Sequence, residues 1–579
     1  MRQNKEIWMV QTKRADFNGL AKKLGVSPVS VRIMRNRGLE TEEEMGRYLY
    51  GNLEGLYDGR LMKDMGTAVA ILRKKLTERK KIRIIGDYDI DGVCSTYLLL
   101  VGLRRAALAF GGDPETVDYE IPDRIKDGYG INESIIRQAA ADQVDTLITC
   151  DNGIAASKEI SLAKEFGMTV VVTDHHEVPV KDGVQIPPPA DAVVNPKQET
   201  DHYPFQGICG AVVAYKLLGV LYGEAGVPKR EWEDLLEFAA VATVGDVMRL
   251  QDENRILVKY GLKRIGRTKN LGLRKLVEKN NLDPDRLSAY HIGFVIGPCL
   301  NAGGRLQTAK LALRLLLAES EAEADELAEE LKALNDTRKD MTKKGEAEAA
   351  AQVEERYADD KVLVVFLPDC HESLAGIIAG RVRERFHKPA IVLTRGEEMV
   401  KGSGRSIEKY HMFQGLCGVA DLLPKFGGHP MAAGLSIEEK NIDEFRRRLN
   451  EAADLTEEDF IPRVWIDVPM PFEYVSERLV QELELLEPFG QGNEKPQFAQ
   501  KNLSIRQARV LGKNRNVVKL SLVTESGLSV DGLWFGDGDE FLREQAGRDA
   551  IDIVYYPDIN EYNGRRTLQA VIKNYQFHR

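Results

Sequence analysis

Short apolar runs alternate with helix-length amphipathic segments between about residues 80 and 200. The predicted strands include "KKIRII", "VDTLITC" and "TVVVT", and segments such as "STYLLLVGLRRAALAF" separate them. Apolar strands separated by helices are typical of a parallel sheet whose two faces are covered by helices. A second pattern of this kind starts at "KVLVVFLP" and extends to about residue 450. The pattern therefore predicts two α/β domains.

A helical stretch lies between the two α/β patterns, and a strand-rich stretch follows them. Residues 306–357 lack proline, have no glycine before Gly345 and are rich in Ala, Leu, Glu and Lys, which favours one or two long helices. From roughly residue 460 onward, alternating runs such as "NVVKLSLVTE" and "AIDIVYYPDI" indicate a small antiparallel barrel or sandwich. The predicted division is a helical lead-in (1–70), a first α/β domain (71–305), a connecting helix (306–357), a second α/β domain (358–455) and a β-barrel (456–579).

Composition describes an ordinary globular protein. At 579 residues the chain is too long for a single core, and 43% hydrophobic and 29% charged residues are usual values. A net charge of −10 disfavours polyanion binding by the whole surface but allows a local basic track. Six scattered cysteines without a CxxC pair predict reduced thiols in a cytoplasmic protein. We expect neither a signal peptide nor a membrane span.

Carboxylate and imidazole side chains follow four of the apolar segments. These side chains belong to Asp87, Asp89, Asp91, Asp151, Asp174, His175, His176 and Asp246. A single Asp after a strand is more often a helix N-cap than a ligand. However, ligands of an open parallel sheet bind just beyond the carboxyl ends of its strands. Four such segments together predict one shared site at that edge.

The row of three aspartates in "IIGDYDIDG" indicates a metal site. Like charges this close are tolerated only in water or around something strongly positive. Successive side chains of a strand point to opposite sides. If the predicted strand "KKIRII" continues through the aspartates, Asp89 and Asp91 can therefore face one site. Carboxylates with imidazole and no thiolate suit Mn²⁺ or Mg²⁺, and there are enough of them for two ions. Two such ions support in-line attack on phosphorus, so the residues predict a phosphoester hydrolase.

The motifs "GDYDIDG", "CDNG", "DHH" and the later "GD" resemble the four motifs of the DHH phosphoesterase superfamily. Further matches are "IPDRIKDGYG", "LNAGGRL", "GSGRS", "GGHPMAAG" and "EPFGQGNEKPQF". This set resembles the branch of single-strand-specific 5′→3′ DNA exonucleases of repair and recombination, from about residue 80 to the end. The resemblance implies an α/β multidomain protein: a parallel-sheet DHH domain, a long helix, a DHHA1 domain and a C-terminal OB-fold.

The resemblance also implies roles for individual residues. Its metal ligands would be Asp89, Asp91, Asp151, His175 and Asp246. Asp151 would bridge the two ions, and Asp87 would be a ligand or a hydrogen-bonding orienter. His176 would contact the scissile phosphate, where a cationic imidazole stabilises charge or protonates the leaving oxygen. The catalytic residues implied are thus Asp151, His175 and His176.

A second site is predicted to anchor the terminal phosphate. The resemblance implies that Arg124, Ser403 and Arg405 hold the 5′-phosphate, and the backbone around Gly404 in "GSGRS" offers N–H groups that suit an anion. The distance of this anchor from the metals would determine that one nucleotide is removed per cut. Further candidates for phosphate or leaving-group contacts are Asn301, Arg305, His371 and His429.

The C-terminal stretch favours a polymeric substrate. Residues 501–519 contain six Lys and Arg residues and no acidic residue, and Lys513, Arg515 and Lys519 are predicted to bind DNA. Aromatic residues nearby are predicted to stack on bases. OB-folds hold single strands in a basic groove that also presents aromatic side chains. These aromatic residues are Trp534, Phe535, Tyr555, Tyr556 and Tyr562.

Two alternative functions remain open at this level. The first is a small-phosphoester hydrolase, such as a nanoRNase or a cyclic-dinucleotide phosphodiesterase, although such an enzyme needs no basic terminal domain. The second is a catalytically dead DNA-binding scaffold of the replication machinery, although every metal ligand is present here. A nucleotide-triphosphatase motor is excluded because no G-x-x-x-x-G-K-[ST] occurs. The predicted nuclease is a monomer that acts on single-stranded DNA, with a helicase and a single-strand-binding protein as candidate partners.

Overall fold

A computed structural model describes residues 6–123, 130–562 and 564–578 of the chain, with the side chain of residue 562 left out. Arg124 therefore lies outside the described residues. The N-terminal region starts with a short strand and three helices. Its elements are β1 (Ile7–Val10), α1 (Phe17–Leu24), α2 (Pro28–Asn36) and α3 (Glu42–Tyr50). Thr41 and Glu44 form a capping box at the start of α3, which satisfies N–H groups of its first turn.

The first α/β domain is built on a five-stranded parallel sheet in the order β3-β2-β4-β5-β8. Helices cover both of its faces, as the sequence pattern predicted. Its elements are α4 (Met65–Thr77), β2 (Ile82–Ile85), α5 (Ile90–Ala109), β3 (Val117–Glu120), α6 (Glu133–Ala141), β4 (Thr146–Cys150), α7 (Ser157–Glu165), β5 (Thr169–Thr173), β6 (Val180–Lys181), β7 (Val184–Gln185), β8 (Ala192–Val194), α8 (Gly210–Ala225), α9 (Lys229–Asp234), α10 (Leu236–Gly245), α11 (Asp252–Ile265), α12 (Leu271–Lys279), α13 (Ala289–His291), α14 (Gly297–Leu306) and α15 (Lys310–Leu317).

Helix α5 is the core helix of this domain. By length and composition alone this helix could cross a membrane, but it carries Asp91, Arg104 and Arg105. Its most apolar window is 67% buried inside the protein, where α5 packs against α8, α10 and the sheet. Burial on several sides explains the apolar character, because a helix surrounded by protein needs no polar face.

The helix between the two α/β domains contributes to the cores of both. α16 (Glu321–Gln352) begins at the N-cap Ser320 and ends in a π-helical turn, Val353–Tyr357. Near its start, Leu327 and Leu331 are buried in the core of the first domain, whereas Ala349 near its end is buried in the second. The predicted strut is thus a helix that packs against both domains.

The second α/β domain carries a mixed five-stranded sheet in the order β12-β13-β11-β10-β9. Only the β9–β10 pair is parallel among the described strands of this sheet. Its elements are β9 (Leu363–Phe366), α17 (Ala375–Phe386), β10 (Ala390–Arg395), β11 (Val400–Arg405), α18 (Met412–Cys417), β12 (Lys425–His429), β13 (Ala432–Ile437) and α19 (Ile442–Ala452).

The C-terminal region is a closed barrel. Its strands follow the order β16-β17-β18-β20-β19, and β16 also pairs with β19, which closes the sheet. Most pairs are antiparallel, but β18 and β20 run parallel, and the short strand Val468–Pro469 also pairs in parallel with β16. The predicted barrel is therefore confirmed with two parallel pairings. Its elements are β14 (Arg463–Ile466), β15 (Val468–Pro469), α20 (Glu477–Glu484), β16 (Phe498–Leu511), β17 (Val517–Val523), β18 (Ser529–Phe535), α21 (Gly538–Gln545), β19 (Ala550–Tyr562) and β20 (Arg565–His578).

The N-terminal helices share a hydrophobic core with this barrel, since residues of α1–α3 and of the barrel strands form one buried cluster. Arg255 of α11 ties both to the first α/β domain. Its buried guanidinium donates hydrogen bonds to the carbonyls of Tyr48, Leu485 and Leu486 at 2.8–2.9 Å and lies 3.8 Å from the ring centroid of Tyr48. The barrel is thereby held against the first domain by a fully buried cation.

Candidate active site

The predicted acidic and imidazole residues meet at the carboxyl edge of the parallel sheet. β2 ends at Ile85, and the chain then enters a loop that carries Asp87 and Asp89. Asp91 lies in the first turn of α5, so the expectation that Asp89 and Asp91 alternate along a strand is wrong. The helix begins there because Asp89 is its N-cap, and its Oδ1 accepts hydrogen bonds from the N–H groups of Asp91 and Gly92.

Asp91 is held by the start of another helix. Its two carboxylate oxygens accept hydrogen bonds of 2.7 Å from the backbone N–H groups of Gly210 and Ala211, the first residues of α8. The unsatisfied N–H groups at a helix start attract a carboxylate, so this contact fixes the position of the Asp91 side chain.

Asp151, after β4, has a left-handed backbone with φ of +60°. Aspartate accepts this conformation more readily than most residues with a Cβ. Gly210 packs directly on it, and a Cβ at position 210 would lie 2.8 Å from the Cβ of Asp151. A glycine is therefore required where α8 approaches the site.

His175 connects the carboxylates that come from different elements. Its Nε2 lies 3.1 Å from an oxygen of Asp151, 3.5 Å from one of Asp91 and 3.7 Å from one of Asp246. Asp246 follows α10 directly, so it comes from a helix end. Four segments far apart in sequence thus contribute to one centre.

His176 is oriented by Asp174, which was predicted to lie at this edge of the sheet but had no individual role assigned to it. Its Nδ1 lies 2.8 Å from Oδ1 of Asp174, which is buried and also accepts hydrogen bonds from the N–H groups of Ile154, His175 and His176. The only sequence signal for this residue is its place in the "DHH" tripeptide. Asp174 is a positioning residue of the site.

The donor atoms form three overlapping groups, each with its atoms within 4.8 Å of one another. The groups are Asp87–Asp89–Asp151, Asp91–His175–Asp246 and Asp151–His175–His176. All six predicted ligands belong to these groups, and Asp151 and His175 each belong to two of them. Carboxylate oxygens and imidazole nitrogens without thiolates fit two Mn²⁺ or Mg²⁺ ions.

The pKa values show how strongly these charges oppose one another. Burial and the neighbouring Asp91 raise the pKa of Asp246 to about 8, and the same causes raise the pKa of Asp151 and of Asp89. Burial lowers the pKa of His175, which keeps its imidazole neutral and able to bind a cation. Divalent cations would favour the ionised carboxylates and relieve the repulsion.

The first four residues of the "GSGRS" segment, whose backbone was expected to bind an anion, lie in the central strand β11. Gly404 pairs with Ile391 on one side and Ala433 on the other, so the backbone of this segment is engaged in ladders to both neighbours. The expectation that its N–H groups bind a phosphate is therefore wrong. The side chains of Ser403 and Arg405 remain as candidates, and Arg405 donates a 3.1 Å hydrogen bond to Ser403.

Arg305 and His371 meet at Ser373, between the two α/β domains. Arg305 donates a hydrogen bond of 3.0 Å to the Ser373 carbonyl, and Nδ1 of His371 lies 2.8 Å from the Ser373 hydroxyl oxygen. Asn301 lies one turn before Arg305 on α14. His429 was expected on a loop, but it is the exposed last residue of β12.

The barrel supports only part of the predicted DNA-binding surface. Arg515 forms an ion pair with Asp539, and Lys519 lies 3.4 Å from Asp531, so two of the three predicted cations have acidic partners. Lys513 is exposed.

Most of the predicted stacking residues are packed inside the barrel. Tyr555 and Tyr556 are buried in its core, and Trp534 packs against Phe541 and Tyr575. The expected stacking role of Tyr555 and Tyr556 is wrong, because these two rings fill the interior of the closed sheet. Trp534 is only partly buried. Phe535 is 60% exposed, and the side chain of Tyr562 lies outside the described residues.

Comparison with known families agrees with this geometry. Residues 81–243 match the model described as "DHH family, N-terminal domain", residues 359–454 match the DHHA1 domain and residues 466–574 match the RecJ OB domain. Fold and site thus define a DHH phosphoesterase with an additional OB domain.

Curated relatives narrow the class further. The single-stranded-DNA-specific exonuclease RecJ of Bacillus subtilis is 37% identical over 99% of this chain and 71% of its own length. The Escherichia coli protein of the same name is 34% identical over 94% of this chain and 95% of its own. The crystal structure of RecJ with Mn²⁺ from Thermus thermophilus superposes with a TM-score of 0.83 at 30% identity, covering 100% of this chain and 80% of that one. The chain belongs to the RecJ family of single-stranded-DNA-specific exonucleases.

Proposed function

We propose that this protein uses two divalent cations, Mn²⁺ or Mg²⁺, to hydrolyse single-stranded DNA from its 5′ end and to release 5′-mononucleotides. The observation that carries the proposal is the convergence of six carboxylate and imidazole ligands from four segments at one edge of the sheet. RecJ of Thermus thermophilus has been crystallised with Mn²⁺ and with Mg²⁺, which supports the choice of ions. The intact ligand set also argues against a catalytically dead scaffold.

The metal ligands and His176 would have different roles in hydrolysis. When bound, the cations polarise the phosphate and lower the pKa of water at the site. Asp87, Asp89, Asp91, Asp151, His175 and Asp246 would hold them. Burial alone would lower the pKa of His176, but the hydrogen bond and charge of Asp174 raise it, so His176 can carry a proton for the leaving oxygen or stabilise charge on the phosphate.

Recognition of the strand end is assigned to the second α/β domain. Ser403 and Arg405 face Gly376 at the start of α17, where a Cβ would lie 2.9 Å from both side chains. A guanidinium and a hydroxyl that share one small space suit the terminal phosphate of a strand. A site that binds the terminal phosphate supports an exonuclease. Polarity and single-nucleotide release rest on the family resemblance.

The remaining expectations follow from the substrate. An enzyme that digests single strands depends on strand separation, which supports a helicase and a single-strand-binding protein as partners in repair and recombination. We further propose that the protein acts as a monomer in the cytoplasm and that the predicted order of domains stands. The first domain is wider than predicted, because α4 and α15 pack in its core, and the helices α1–α3 help to complete the barrel core.

The direct test uses single strands labelled at the 5′ or the 3′ end, incubated with Mn²⁺ or Mg²⁺. Early release of labelled mononucleotide from 5′-labelled strands and gradual shortening of 3′-labelled strands are expected. A duplex with blunt ends should resist. Early mononucleotide release from the 3′ label would overturn the polarity, and cuts within circular single strands would overturn the exonuclease assignment.

A further inference from the structure

Two large aromatic side chains are exposed next to the active site. Tyr290 is 62% exposed and Phe294 is 66% exposed. Their rings stack on each other with centroids 4.9 Å apart and planes 26° from parallel. Paired aromatic rings of this exposure mark interaction sites more often than packing, since packing would bury them.

The local helix geometry brings the two rings together. Residues 289–306 form one continuous helix, in which Ile292–Ile296 is a π-helical turn between α13 and α14. Ile292 and Ile296 are fully buried and fix this turn on the domain core. The wider turn places residues four apart almost above one another, which allows the outward rings to stack. Such turns are frequent at functional sites.

This helix runs along the active-site cleft. Eleven residues after Phe294 it carries Arg305, a distance of about 16 Å at the usual helical rise. Asn301 lies between them, and its Oδ1 is buried without a hydrogen-bond partner in the described part of the chain. The π turn packs on α10, since a Cβ at Gly293 would lie 3.5 Å from Val244. α10 ends at the metal ligand Asp246.

The other side of Tyr290 faces the barrel. Tyr290 lines an open groove of about 660 Å³ between α11 of the first domain and the segment 484–495 beside the barrel. The groove is also lined by four cationic residues and three acidic ones: Lys259, Lys263, Arg267, Lys495, Asp285, Glu484 and Glu487. The cations outnumber the acidic groups by one and can neutralise phosphates of a bound strand. The aromatic pair thus lies between the barrel and the metal ligands.

We propose that Tyr290 and Phe294 form a stacking platform for a base of the single strand whose end occupies the active site. The proposal rests on the proposed function, because it assigns these rings to the substrate of that reaction. Base stacking on aromatic side chains tolerates any sequence, since every base has a π face. A base within a duplex already has both faces covered, so the platform favours unpaired strands.

The test measures stacking directly. A phosphorothioate single strand of roughly 20 nucleotides, longer than the site of one OB fold, carries 2-aminopurine at successive positions and is bound to the Mn²⁺-loaded protein. We expect fluorescence quenching at one or two adjacent positions. Phe294→Leu and Tyr290→Leu remove the rings but keep an apolar side chain, and we expect each to lose this quenching and to weaken binding about tenfold, or about 1.4 kcal/mol.

Three comparisons separate the platform from other causes. Phe166→Ala removes an exposed ring just before β5, at the sheet edge opposite the metal ligands, and should retain wild-type quenching and affinity. The loss caused by Phe294→Leu should be much smaller for a trinucleotide than for the long strand. The proposed platform would be overturned if a variant with both Tyr290→Leu and Phe294→Leu kept the wild-type quenching. It would also be overturned if Phe294→Leu weakened the binding of trinucleotides and long strands equally. Failure of the wild-type protein to digest any single strand would instead overturn the proposed function, whatever the quenching shows.

Discussion

Nδ1 of His176 lies 2.8 Å from Oδ1 of Asp174, and the same carboxylate accepts hydrogen bonds from the N–H groups of Ile154, His175 and His176. Asp174 therefore fixes the loop and the imidazole together. Burial lowers the pKa of His176, but the hydrogen bond and charge of Asp174 outweigh it, so the pKa is raised above the ordinary value. The proton on His176 is thus retained to higher pH than in an isolated histidine.

Asp174→Asn should slow hydrolysis about 10- to 100-fold, the usual effect of losing a group that orients a metal-site residue. The variant keeps the shape of the side chain but removes the charge that raises the pKa of His176. The alkaline limb of the pH–rate profile should therefore move to lower pH. Asp182→Asn, at the exposed tip of the β6–β7 hairpin, is the matched control and should leave the profile unchanged. An unshifted alkaline limb in Asp174→Asn would show that His176 does not act as a cation.

Asp151→Asn should abolish hydrolysis while binding to single-stranded DNA remains largely intact. Asparagine is the suitable replacement because Asp151 has φ of +60°, a conformation that asparagine accepts and alanine adopts only with strain. Removing the ligand shared by two donor groups should also reduce the rise in melting temperature that Mn²⁺ produces. Activity assays, binding assays and thermal melts on one preparation check this. Equal loss of hydrolysis and binding would contradict the assigned role.

Stabilisation by Mg²⁺ should increase with pH. Burial and Asp91 raise the pKa of Asp246 to about 8 in the folded protein. A carboxyl whose pKa is raised by folding stabilises the fold while it is protonated, and this contribution is lost as pH rises through the folded-state value. Mg²⁺ binds the ionised form and compensates for that loss. The melting-temperature increase caused by Mg²⁺ should therefore be larger above pH 8 than near about pH 6. A shift independent of pH would contradict proton–metal competition at this site.

Most of the ligand cluster could be predicted because it depends on sheet topology. In a parallel sheet the segments after β2, β4 and β5 emerge at one edge whatever their detailed conformation, so reading the strand ends was sufficient for these ligands. Asp246 comes instead from the end of helix α10. The conformation of each segment was less predictable. Asp91 lies in a helix and not on a strand, because Asp89 starts α5 earlier than the apolar pattern suggested.

Whether a side chain is buried or exposed was harder to predict where the strand is irregular. Tyr555 and Tyr556 are sequence neighbours, which in a regular strand would point to opposite faces. The pairing of β19 with β20 shifts register between Val554 and Tyr555, and both rings are buried. A bulge of this kind has no clear sequence signal.

Glycines in the second α/β domain misled the prediction for a related reason. The backbone around Gly404 was expected to bind an anion, but a Cβ at 402 would lie 2.5 Å from Leu393 and 2.9 Å from Leu435, and one at 404 would lie 2.9 Å from Met412. Side chains of both neighbouring strands crowd Gly402, and a side chain of α18 crowds Gly404. Close packing by distant residues cannot be read from a local pattern.

Gly376→Ala should weaken the preference for 5′-phosphorylated ends. A Cβ at position 376 would lie 2.9 Å from Nη2 of Arg405 and from Oγ of Ser403, so the methyl group should displace both side chains without removing any charge. Arg405→Ala should have a larger effect in the same direction, because it also removes the charge. The measurement is the ratio of digestion rates for 5′-phosphorylated and 5′-hydroxyl strands.

Gly380→Ala is the matched control, because it lies one turn later on α17 and a Cβ there meets no atom within 4 Å among the described residues. It makes the same chemical change in the same helix and should retain the wild-type preference, with a small gain in stability from helix propensity. A reduced preference in Gly376→Ala but not in Gly380→Ala would locate end recognition at Ser403 and Arg405. If Gly376→Ala kept the wild-type ratio while Arg405→Ala lost it, the guanidinium would act through its charge alone, and the packed arrangement of the two side chains would have no part in choosing the end.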